Sequence, residues 1–136
     1  MWREPSDETL RDILATPRCI AVVGCSPDPT RDSNRIARLL MARGHRVIPV
    51  NPRCAQLLGE RCYARLSDIP VRVDVVDVFR RSEEAGAVVD EAIRIGAWVV
   101  WLQLGVIDTA AATRAQAAGV VVVMDRCPAI EYARLF

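Results

Sequence analysis

The residues best suited to chemistry form a Gly-x-Ser turn, Gly24, Cys25 and Ser26, in the stretch VVGCSPDPTRDSNRIARLL, followed by Arg31, Ser33, Asn34 and Arg35. The chemistry they suggest is anion recognition. A glycine at the end of a strand lets the chain turn sharply and lets a ligand approach the backbone. A helix beginning after it presents free N–H groups and a partial positive charge. Serine hydroxyls add donors, and an arginine fork pairs with phosphoryl oxygens. The turn departs from G-x-G-x-x-G, since Ser26 and Pro29 stand where that fingerprint needs glycines, which weakens a standard dinucleotide site. The competing reading is an ordinary strand-to-helix turn, with Ser33 as N-cap and the arginines in solvent.

A second group, Asn51, Pro52 and Arg53, follows the next apolar run, VIPV. NAD-binding units carry an acid there to bond the ribose 2′-hydroxyl. A cation in its place suits a phosphate on the ribose, which leaves NADP with its 2′-phosphate or coenzyme A with its 3′-phosphate. Asn-Pro as a plain turn with Arg53 in solvent is the alternative.

Other reactive groups offer less. All 18 basic residues are arginine, so Schiff-base chemistry and a P-loop lysine are excluded. The lone histidine, His45, lies between a helix and the second strand, at the amino end of the sheet, and reads as a solvated loop residue rather than a catalyst. Asp74 and Asp77 lie three positions apart on one strand and face opposite sides, so they form no pair; a hydrogen-bonded structural role is expected for Asp77. Five cysteines without a C-x-x-C pair fit reduced thiols rather than a disulfide framework or a metal site. Cys25 and Cys127, the latter just before Pro128 and an expected helix, fall near the mouth of the same site, where a ligand thiol could form a mixed disulfide with one of them.

These residues need elements to position them. Short Val-rich runs at 19–23, 46–50, 73–79, 97–102 and 120–124 alternate with amphipathic segments near 33–43, 82–95 and 108–118, after a first helix at about 6–16. Gly44, Gly96 and Gly119 fall where helices should end. Strands apolar on both faces point to a parallel sheet covered by helices on both sides. The expected fold is α/β: a doubly wound, Rossmann-like three-layer arrangement with a five-stranded parallel sheet, residues 1–136 forming one domain. Residues 51–70 are less regular, with helical turns expected near 55–58 and 66–69. Trp98 and Trp101 are expected on opposite faces of the fourth strand.

Composition narrows the partners. With 18 basic and 17 acidic residues the net charge of +1 provides no large field for nucleic acid or anionic membrane. The longest apolar runs fall well short of the ~20 residues of a membrane span. The acidic start MWREPSDETL lacks the apolar region of a signal peptide, so a cytoplasmic location is expected.

Taken in order, AVVGCSPDPTRDSNRIARLLMARGHRVIPVNP, LSDIP, VDVVDVF, VVWLQLGV and AGVVVVMDRCPAIEYARL resemble the small CoA-binding family, similar in fold to the CoA-binding domain of the succinyl-CoA synthetase α subunit. The resemblance runs from about Ile20 to Leu135. It implies a phosphate loop at Gly24, Cys25 and Ser26 with the helix start at Ser33 and Asn34. It puts Asn51, Pro52 and Arg53 beside the adenosine phosphates, and a pantetheine arm across Phe79, Arg80, Gln103, Leu104 and Gly105. Cys25 stands where the family pattern leads one to expect alanine. The expected function is binding of coenzyme A or an acyl-CoA without catalysis; no catalytic or metal-ligating residue is assigned. An NADP-linked redox or sensor domain, and a subunit presenting CoA within a synthetase-type complex, are the alternatives, and a homodimer is possible.

Overall fold

The computed structural model describes residues 1–136. Helix α1 (Asp7–Ala15) precedes strand β1 (Cys19–Val23), and α2 (Asp32–Ala42) leads to β2 (Arg46–Val50). A hairpin of β3 (Gln56–Leu57) and β4 (Glu60–Arg61) and a short 3-10 turn (Leu66–Asp68) come next. Then follow β5 (Val75–Val78), α3 (Ser82–Arg94), β6 (Val99–Leu102), α4 (Thr109–Ala117), β7 (Val121–Val123) and α5 (Pro128–Leu135). Five strands form one all-parallel sheet in the order β2-β1-β5-β6-β7. The doubly wound α/β expectation is met, with an order that reverses between β1 and β5.

Alternation along the strands builds two cores. Ile20, Val22, Val75, Val99, Trp101 and Val123 face α1, α2 and α5, where they meet Leu10, Ile13, Ile36, Leu40 and Tyr132. Ala21, Val23, Val76, Val78, Val100, Leu102 and Val122 face α3 and α4. Those two helices answer with small residues, Ala85, Val89, Ala92, Ala111, Ala112 and Ala115, so they lie close to the sheet and to each other. Burying one Val or Leu side chain is worth ~1.5–3 kcal/mol, which makes these two layers the main source of stability. Local signals agree with the packing: Ser6 caps α1 by accepting from the Thr9 amide, and Asp108 caps α4 by accepting from the Ala111 amide.

Four expectations are corrected. The turn expected near 55–58 is the β3–β4 hairpin, whose two-residue loop has both Leu58 (φ 56°) and Gly59 (φ 74°) in the left-handed region that a primed turn requires. Helix α2 begins at Asp32, one residue before the expected start at Ser33, and its N-cap is Arg31. Trp98 precedes β6 and packs against the same cluster as Trp101, so the two do not face opposite layers. His45 is buried, not solvated: its Nδ1 accepts from the Arg18 amide (3.0 Å), and its Nε2 lies 2.7 Å from the Tyr132 hydroxyl, which donates to the Leu14 carbonyl (3.1 Å). Acceptance at Nδ1 assigns the ring proton to Nε2, and burial holds the imidazole pKa below its ordinary value. No helix is long and apolar enough to cross a membrane.

Candidate functional site: a cleft at the carboxyl edge of the sheet

Where the strand order reverses, the carboxyl ends of β1 and β5 run into Gly24 and Phe79. In open α/β sheets this is where a crevice forms. The Gly24 amide donates to the Val50 carbonyl (3.0 Å), and the Phe79 amide to the Val23 carbonyl (2.9 Å), so the three strand ends are tied together. Gly24 has φ +82°, and a Cβ there would lie 2.2 Å from the Phe79 carbonyl oxygen. Only glycine fits the turn.

The loop beyond is fastened from both sides. Ser33 Oγ accepts from the Ser26 amide (2.9 Å), and Asn34 Nδ2 donates to the Ser26 carbonyl (2.9 Å). Asn51 Nδ2 donates to the Cys25 carbonyl (2.9 Å), while its Oδ1 accepts from the Arg53 amide (2.9 Å). Arg38 Nε donates to Asn34 Oδ1 (2.9 Å) and its guanidinium also reaches the Pro29 carbonyl (2.9 Å). Asp28 accepts from both the amide and the hydroxyl of Thr30, and these bonds hold its carboxyl below the usual range. Ser33 and Asn34 are therefore buried fasteners of the loop.

Two adjoining clefts open above this frame. One of about 420 Å³ is lined by Gly24, Ser26, Thr30, Arg31 and Ser33. The other, about 750 Å³, is lined by Arg35, Phe79, Arg80, Gln103, Leu104 and Cys127. They share Asp32 and Phe79 as walls, so the two adjoin as a channel across the ends of β1, β5 and β6. At its narrow end the first-turn amides of α2 have no intrahelical acceptor and carry the positive end of the helix dipole.

The sequence-derived residues divide accordingly. Gly24, Ser26, Arg31, Ser33, Arg35, Phe79, Arg80 and Gln103 line the channel. Arg31 and Arg80 lack a carboxylate partner, whereas Arg35 pairs with Asp32, so its fork is not free. Asn51 and Asn34 lie behind the loop. Pro52 and Arg53 are exposed after β2 and line neither cleft. Gly105 also lies outside the lining; its amide donates to Asp125 Oδ1 (2.7 Å) and its carbonyl accepts from Ser82 Oγ (3.3 Å), which ties the loops after β5, β6 and β7 together. Gln103 is only 7% exposed, yet its Oε1 has no partner.

The candidate reactive groups separate clearly. Cys25 is wholly buried against the α2 side of the sheet, and burial pushes its thiol up to about 12, which removes it from the mouth of the site. Cys127 is half-buried and lines the wider cleft. His45 lies at the opposite edge of the sheet. Asp74 accepts from the Cys19 amide (2.8 Å), also at the amino edge. Asp77 is buried within the sheet with neither carboxylate oxygen partnered, so the hydrogen-bonded role expected of it is corrected. Its burial raises the carboxyl well above the ordinary value. No group of three His, Cys, Asp or Glu side chains is placed to hold a metal ion.

Sequence reasoning did not single out Thr30, Asp32, Arg81 or Ala129 of the lining, nor Ile36 and Leu39, which read as the core stripe of α2. Arg81 adjoins Arg80 and was detectable only by that adjacency; it is engaged with Glu84 (2.8 Å).

A family model described as a CoA binding domain matches residues 18–133. An uncharacterized protein of Bacillus subtilis is 34% identical over 131 residues, which cover 96% of this chain and 97% of its own. The solved structure of a hypothetical protein from Pyrococcus horikoshii OT3 superposes with a TM-score of 0.92 at 38% identity, covering 99% of this chain and 97% of that one. The apo form of a dinucleotide-forming acetyl-coenzyme A synthetase from Ca. Korarchaeum cryptofilum superposes with a TM-score of 0.74 at 28% identity, over 85% of this chain and 28% of the synthetase.

Proposed function

The chain belongs to the CoA binding domain family, and from that premise we propose that it binds coenzyme A, or an acyl-CoA, along the channel at the carboxyl edge of its sheet. The diphosphate rests on the α2 N-terminus and the Gly24–Ser26 turn, with Arg31 as the unpaired cation beside it. The pantetheine arm crosses Phe79 into the wider cleft, past Arg80 and Gln103. Arg53 reaches the 3′-phosphate from the loop after β2. The observation that carries this reading is that the two clefts share Asp32 and Phe79, which sets a polar, amide-rich end beside a more apolar one as a molecule with a charged head and a long arm requires.

The reading includes no reaction of the chain's own. A second reading, in which the chain presents bound CoA to an acyl-transferring partner, is favoured by its likeness to a part of a larger synthetase. If so, the thiol of bound CoA remains open to aqueous thiol reagents; protection of that thiol argues for sequestration.

Titration calorimetry with CoA, dephospho-CoA and NADP at one salt concentration tests the binding claim. A charge-assisted bond is worth ~1.5–3 kcal/mol, so dephospho-CoA should bind roughly 10- to 100-fold more weakly, and Arg53→Ala should abolish the difference. Equal affinity of the unaltered protein for both removes Arg53 from its role. Tighter binding of NADP than of CoA overturns the choice of ligand.

A further inference from the structure

We propose that the groove beside the wider cleft takes the acyl group of an acyl-CoA, so that the chain selects CoA thioesters of uncharged, straight-chain acids over free CoA. The inference rests on the CoA-binding reading and names the class of thioester that the same site takes.

The groove, about 550 Å³, adjoins the wider cleft through two shared residues, Leu104 and Cys127. A pantetheine arm laid along the wider cleft past Gln103 meets Leu104 next, and a group carried on its sulfur is directed toward the groove. The walls there are apolar: Trp2, Leu104, Ile107, Met124 and Ile130. Leu104, Ile107 and Ile130 are 56%, 50% and 52% exposed, so three large apolar side chains face solvent in one place. The remaining exposed large apolar residues, Met1, Val71 and Phe136, line none of the three clefts at this edge. Single exposed apolar side chains need no explanation, whereas a cluster rimmed by polar residues marks a place where an apolar group docks.

The loop that carries Leu104 and Ile107 is held outward rather than free to fold onto the core. The Gly105 amide donates to Asp125 Oδ1 (2.7 Å), the Ile107 amide donates to Ser82 Oγ (3.0 Å), and the Ser82 hydroxyl donates to the Gly105 carbonyl (3.3 Å). Because these walls are already ordered, a chain entering the groove gains burial without the cost of ordering the loop.

Charge decides which acyl groups fit. Glu4, Asp125 and Glu131 also line the groove, against one cation, Arg126, whose guanidinium is engaged by Glu4 and by Glu131 (3.0 Å). A carboxylate at the far end of an acyl group meets three acids and no free cation there, while an alkyl chain meets the apolar walls. The walls shared with the wider cleft favour an occupant that arrives on the ligand itself over a second copy of the chain.

The test is titration calorimetry with CoA, butyryl-CoA, octanoyl-CoA and succinyl-CoA, each below its micellar concentration, with sedimentation of the free chain alongside. Each fully buried methylene strengthens binding up to about 4-fold, and a groove open on one side realises part of that. Octanoyl-CoA should therefore bind at least roughly 10-fold more tightly than butyryl-CoA, and succinyl-CoA no more tightly than CoA. The double variant Ile107→Ser, Ile130→Ser should bring octanoyl-CoA close to the affinity of CoA and leave CoA affinity unchanged. Ile130→Ser alone, on an exposed position of α5, should remove part of the gain and keeps the test available if the double variant does not fold. Equal affinity for CoA and octanoyl-CoA, an octanoyl gain that survives both substitutions, or tighter binding of succinyl-CoA than of octanoyl-CoA overturns the proposal. A dimer of the free chain that these substitutions dissociate overturns it too, by giving the groove to a second copy. Failure of CoA itself to bind refutes instead the reading on which the proposal rests.

Discussion

Asp77 sits in the middle of the central strand, in register between Val22 and Trp101, with no hydrogen bond to either oxygen. A polar group buried without a partner costs ~1–3 kcal/mol by mutational measure, so Asp77→Val, matching its strand neighbours, should stabilise the fold by about that amount in urea unfolding. The sign of the pH dependence follows from the raised carboxyl. Above its ordinary value of 3.8 the unfolded chain releases the Asp77 proton while the native state keeps it. The group's contribution is therefore most favourable below that pH and declines as pH rises toward the folded value. The stability gap between variant and unaltered protein should widen from pH 4 to pH 7; a gap that stays constant would show that Asp77 finds a partner. At this scale the sequence was only partly legible. Gly24 was readable, since a turn after a strand beside a phosphate-type helix start demands a residue without a side chain. Ser33 and Arg35 were not, because their partners, the Ser26 amide and the Asp32 carboxylate, depend on the path of the intervening loop.

Helix α2 shows how an element sets the electrostatics of a site. Its first residue, Asp32, complements the helix dipole and engages Arg35, yet it stands in both halves of the channel where an anion is proposed to bind. Stability and ligand affinity therefore oppose each other here. Asp32→Asn should lower helix stability by ~0.3–1 kcal/mol, seen as a small fall in Tm, while tightening CoA about 3- to 10-fold by removing a negative charge and freeing the Arg35 fork. Weaker binding in calorimetry would place the diphosphate elsewhere. The strands and long helices were legible because a Val-rich run and a 3.6-residue stripe each report burial directly. The β3–β4 hairpin was not: its turn is Leu58–Gly59 rather than the usual Asn-Gly or Asp-Gly, and its two-residue strands are too short for alternation to register. His45 was misread for a related reason. A histidine beside glycine at a strand start looks like a loop residue until α1 and α5 close over it through Leu14 and Tyr132.

Across the whole molecule, one consequence of topology organises everything else. Ordering the strands β2-β1-β5-β6-β7 brings the turns after β1, β5 and β6 to one edge, and sends His45 and Asp74 to the other. The cleft is thereby supplied with amides, arginine and one half-buried thiol, while the histidine serves packing. The order of short motifs along the chain was enough to anticipate this edge, because parallel strands joined by helices must expose all their carboxyl ends together. What the motifs did not reveal was which side chains line it, since that depends on rotamers and on pairs such as Arg35–Asp32. The most direct test of the central claim is amide-resolved NMR of the uniformly labelled chain titrated with coenzyme A. Shifts confined to residues 24–26, 32–34, 79–80 and 103–104, with 45–46 and 118–119 unmoved, are the predicted result. Saturable shifts clustered at the amino edge, or none along the channel while binding is registered calorimetrically, would contradict it.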